Sequence, residues 1–77
     1  MTHVAKDHIS FDPENMYSRN PTMRQSLIDQ VNAYEGPDGA VYAVIVNGPH
    51  TSRSDKRVHS TVDFYDADKK HLSRRHV

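Results

Sequence analysis

The sequence predicts an α+β fold in which one main helix packs on a small three-stranded antiparallel sheet, with an N-terminal arm and a short helical turn ahead of it. Three observations carry that expectation. Apolar residues recur at helical spacing between residues 21 and 34. A β-branched and aromatic run fills 40–46, and an alternating segment, 58–65, is followed by a charged turn and a further extended stretch over 70–74. A helix followed by three strands is a helix-on-sheet sandwich.

Residues 1–11 alternate weakly, with Val4, Ile9 and Phe11 among polar neighbours, and read as an N-terminal arm or strand. Asp12-Pro13-Glu14-Asn15 places a capping side chain before a proline at a first helical position. Phe11 and Met16 stand where a hydrophobic staple would close, so 13–18 reads as a helical turn. Asn20-Pro21 repeats the device and opens the main helix, 21–34. Met23, Leu27, Val31 and Tyr34 form its apolar stripe, widened by Ile28, while Arg24, Gln25, Asp29, Gln30 and Asn32 point elsewhere. Gly36 suits a left-handed cap and Pro37 blocks continuation.

Val41 to Val46 is apolar at every position, the pattern of a strand buried on both faces. The helix covers one face. The other calls for the N-terminal segment, a second copy or a target protein. Asn47-Gly48-Pro49 is expected to stop this strand, leaving a polar loop from Pro49 to Arg57 that is too long for a tight hairpin. In the next strand Val58, Ser60, Val62 and Phe64 share one face, and His59, Thr61, Asp63 and Tyr65 share the other. Asp66 to Lys70 reads as a turn, and the strand after it as a charged edge.

The 77 residues are 35% hydrophobic, with no Trp and two Phe, which implies one small domain with a thin core that gains from a partner or a second copy. The absence of Cys excludes disulfides, thiolate metal sites and Cys nucleophiles. Met1 to His8 has no apolar stretch of the secretory kind, and no run is long enough to cross a bilayer, so a cytoplasmic protein without a membrane partner is expected. Ten basic and ten acidic residues cancel in total but not along the chain. Residues 1–50 hold Lys6, Arg19 and Arg24 against Asp7, Asp12, Glu14, Asp29, Glu35 and Asp38, a balance of −3. Residues 51–77 hold Arg53, Lys56, Arg57, Lys69, Lys70, Arg74 and Arg75 against Asp55, Asp63, Asp66 and Asp68, a balance of +3.

Six His suggest a metal site, but the pairs His3/His8 and His71/His76 are five apart, which places them on opposite faces of a strand. Ser52, Ser54 and Ser60 near His50 and His59 lack a nucleophile frame. Asp66 and Asp68 fit turn chemistry better than acid–base catalysis. Gly36, Gly39 and Gly48 match no phosphate-binding spacing. A non-enzymatic protein without cofactor or metal is therefore expected.

The expected activity is protein binding by a small accessory or inhibitory protein, of the kind phages and other mobile elements encode. Met16, Tyr17, Tyr42 and Tyr65 are the side chains proposed to carry it, on a partner protein or a second copy. The alternative is nucleic-acid binding through a basic loop and tail: Arg53, Lys56, Arg57, Lys69, Lys70, Arg74 and Arg75.

Overall fold

A computed structural model describes residues 2–51 and 58–77. Its elements are a 3-10 turn (Lys6–His8), β1 (Ile9–Phe11), α1 (Pro21–Ala33), β2 (Tyr42–Thr51), β3 (Val58–Tyr65) and β4 (His71–His76). The fold is compact α+β, but the sheet has four strands in the order β1-β2-β3-β4 and is mixed. The expected three-stranded antiparallel sheet is thus corrected by β1, which pairs parallel with β2, Ile9 opposite Ala43 and Phe11 opposite Ile45. A parallel neighbour requires a long crossover, and α1 supplies it. Among the described residues of the N-terminal arm, only Ile9–Phe11 is strand; Thr2 bridges to Gly36, and Asn32 Nδ2 donates to the Val4 carbonyl. Lys6 Nζ, 3.0 Å from Asp29, ties the 3-10 turn to the helix.

Residues 13–18 form consecutive turns in place of the expected helical turn. Asp12 Oδ1 accepts from the Glu14 N–H, as a capping side chain does, but Asn15 Oδ1 takes the Tyr17 N–H, a donor that a continuing helix would have used. The staple does not close either, because Met16 is 80% exposed while Phe11 packs against the core beneath the Arg24 guanidinium.

Helix α1 starts where the sequence places it: Asn20 accepts from the Met23 N–H, with Pro21 at the first helical position. It buries Leu27 and Val31, and Tyr34, just past its end, stacks on Phe64 with ring centroids 6.0 Å apart. Tyr34 caps it in an extended conformation, so Gly36 is not the left-handed cap. A Cβ on Gly36 would lie 3.2 Å from the Phe64 ring, so a side chain there would crowd the core. The core joins Val4, Ile9, Leu27, Val31, Ala40, Ala43, Ile45, Val62, Phe64 and Val77 between the helix and one sheet face.

Strand β2 continues through Asn47-Gly48-Pro49 to Thr51 instead of stopping at Val46. Its register against β3 shifts between Ile45 and Asn47 and again between Asn47 and His50, with Gly48 at φ 104°. The bulges absorb the residues that were expected to break the strand. Asn15, itself buried, donates Nδ2 toward the Val46 and Gly48 carbonyls and holds this region. Strand β2 is buried on one face only: Ala43 and Ile45 are enclosed, while Tyr42, Val44 and Val46 are half-exposed.

The β3–β4 connection is a three-residue hairpin loop. Lys69 N–H donates to the Asp66 carbonyl, Asp66 N–H to the Lys70 carbonyl, and Asp66 Oδ1 accepts from Asp68 and Lys70 N–H. Lys69 takes the left-handed position at φ 63°. Among the described residues no helix is long and apolar enough to cross a membrane.

Candidate functional site

The face of the sheet away from α1 is the candidate site, and strand alternation decides its membership. Because Ala43 opposes Phe64 on the core side, Tyr42 and Tyr65, which also oppose each other, lie together on the far side. Ser10 opposes Val44 there, Arg74 opposes Asp63 and His76 opposes Thr61. His8, from the 3-10 turn, joins at the rim with its ring 4.8 Å from Tyr42, its Nδ1 donating to the Val41 carbonyl. A shallow cleft of about 270 Å³ is lined by His8, Ser10, Tyr42, Val44, Tyr65 and Lys69.

Charge on this face is organised around Asp63, only 5% exposed. Arg74 grips it with two bonds, Nε to Oδ1 and a terminal amine to Oδ2, each 2.9 Å, and His71 Nε2 lies 3.0 Å from Oδ1. The Arg74 bonds, more than the His71 contact, hold the Asp63 carboxyl below its ordinary value despite burial, and the carboxylate in turn raises Arg74. With its carboxylate so engaged, the face presents mainly rings and donors. Lys69 Nζ sits 5.5 Å from the Tyr42 ring centroid, and Tyr65 meets His71 edge-on at 5.5 Å.

The four side chains expected to bind protein separate. Tyr42 and Tyr65 come together at the centre of the open face. Tyr17 packs against the core, and Met16 stands exposed on the turn segment before α1. The basic set separates as well: Arg74 is on the open face, Lys69 and Lys70 are at the β3–β4 turn, and Arg75 opposes Val62 on the helix side. Arg53, Lys56 and Arg57 lie outside the described residues. Arg74 and Arg75 belong to strand β4 rather than to a loose tail.

Sequence reasoning missed His8, Asp63 and His71 as members of the site. The alternation of β3 already put Asp63 beside Tyr65, but its partners His71 and Arg74 come from the return strand, and His8 reaches Tyr42 from the chain's opposite end. Among the described residues no three of His, Asp and Glu converge as a metal site would require. No family model, curated protein or solved structure matches the chain.

Proposed function

We propose that this is a small, cytoplasmic, non-enzymatic accessory or inhibitory protein, of the kind mobile elements encode, that acts by covering a partner protein with its open sheet face. The observation that carries the reading is the pairing of Tyr42 and Tyr65, directly opposite each other and half-exposed in the cleft they line. Aromatic rings at the centre of a patch with a polar rim are the anchors that protein interfaces use most. Lys69, His71 and Arg74 form part of that rim and tune approach to a partner more than final affinity.

The test is affinity capture from a native lysate with the wild-type protein and with Tyr42→Ala and Tyr65→Ala, each with and without nuclease. Neither ring contributes to the buried core, so both variants should fold. A nuclease-resistant partner that is lost with both variants supports the reading. Undiminished capture by both removes the open face as the binding surface.

One observation favours a second reading, single-stranded nucleic acid. Lys69 poised over Tyr42, with Arg74 on the same face, combines a stacking ring with phosphate-binding cations. That reading predicts bound material that disappears with nuclease, and an affinity that falls steeply with salt.

A further inference from the structure

Lys69 stands where a hairpin turn favours glycine, and its ammonium borders the open cleft. From this we propose that the cleft is a socket for an aromatic side chain of the partner protein whose neighbouring residue is acidic. The inference rests on the protein-binding reading above and names the feature of the partner that the open face grips.

Backbone strain is the first observation. Lys69, at φ 63°, is the one non-glycine residue in the left-handed region among the described residues. Glycine adopts that conformation freely, whereas a lysine loses stability by doing so. What the lysine brings is reach, since from the turn its Nζ arrives 5.5 Å from the Tyr42 ring centroid and lines the cleft. A strained residue that carries a cation to an open cleft points to binding.

Size and lining select the occupant. A volume of about 270 Å³ lies below the ~300–1,000 Å³ of pockets that enclose whole small-molecule ligands, so the cleft suits a single side chain. Its walls include the rings of His8, Tyr42 and Tyr65 beside Val44, a lining that packs well on another ring. A hydrogen bond of 3.1 Å to the Val41 carbonyl already holds the His8 ring in place.

Charge selects the occupant's neighbour. Among the described residues no carboxylate lines the cleft or pairs with Lys69. Asp63 is taken by Arg74 and His71, and Asp66 Oδ1 accepts from the Asp68 and Lys70 N–H groups. An acidic residue next to the seated ring would give the ammonium its partner. Nucleic acid also offers rings and anions, but Asp66 and Asp68 share the turn with Lys69 and repel the successive phosphates of a strand.

The probes are the capped dipeptides Phe-Glu and Glu-Phe, with counterparts carrying Gln for Glu or Ala for Phe. Each is titrated into the full chain at low salt and followed through the Tyr42 and Tyr65 ring resonances by NMR. The expected result is that an acidic dipeptide shifts both rings, and that its Gln and Ala counterparts bind at least about threefold more weakly. Lys69→Gly should weaken the acidic dipeptide by about threefold, leave the Gln counterpart unaffected, and melt no lower than the wild type.

Equal loss of the Glu and Gln dipeptides in Lys69→Gly overturns the proposal, because the lysine then does not meet the acid. So does equal binding of the Ala counterpart, or no shift up to about 10 mM dipeptide. A lower melting temperature of Lys69→Gly would assign the lysine to the fold and overturn it as well, as would tighter binding of tetrathymidylate to the same rings. If the dipeptides fail while capture still depends on Tyr42 and Tyr65, only the socket proposal falls. If capture is independent of both rings, the protein-binding reading falls with it.

Discussion

At the residue scale, Asp63 shows how a buried charge is tolerated. Its carboxylate lies inside the sheet while Arg74 and His71 remain about half exposed, so the two ends of the interaction are not equivalent. Arg74→Ala leaves a buried carboxylate with one remaining side-chain partner and should destabilise more than Asp63→Asn, which leaves only solvated cations and should cost about 1–2 kcal/mol. Urea melts of the two variants check that order. The pH dependence follows from the depressed carboxyl. The folded state binds fewer protons than the unfolded chain, so this stabilisation is fully present above the unfolded value of about 4 and is lost as pH falls through the lower folded one. Wild-type protein should therefore lose more thermal stability than Asp63→Asn between about pH 6 and pH 3.

At the scale of elements, the bulged half of β2 turns on Gly48. Its φ of 104° is strained for any other residue, and an added Cβ would lie 2.9 Å from the His59 carbonyl oxygen and the Ser60 Cα. Both obstacles are backbone and cannot rotate aside. Gly48→Ala should destabilise by about 2–3 kcal/mol, read by denaturant midpoint, and should increase amide exchange around Asn47 and Ser60 more than around β1. The helix is the contrasting case. Its cap, its proline and its stripe are local features, so its start agreed with the sequence to the residue, and its end differed by one. The bulge needed Ser60 and Asn15 as partners, so Asn47-Gly48-Pro49 read alone as a terminator.

At the scale of the molecule, a thin core sets the margin. Phe64 is fully buried, stacked with Tyr34 and packed against Gly36, and is the largest side chain in the interior. Domains of this size have a net stability of about 4–12 kcal/mol, and Phe→Ala in a core costs about 3–5 kcal/mol, so Phe64→Ala should leave a substantially unfolded population by circular dichroism. Tyr65, one residue on, faces the other way and should tolerate Ala. Their contrast separates the face that maintains the fold from the face free to bind.

The sequence by itself determined the α+β class, the helix with its Asn20 cap, and the facial alternation of β3, because each depends on neighbours within a few residues. It also put Tyr65 on the face opposite Phe64. Only the tertiary structure decided that Ile9–Phe11 joins the sheet in parallel, that β2 continues through its glycine, and that Tyr42, Tyr65, His8 and Lys69 share one cleft. It likewise decided that Asp63, Arg74 and His71 meet. Those outcomes rest on pairings across tens of residues, where strand register and crossover direction are selected by the packing of the whole core rather than by any local preference.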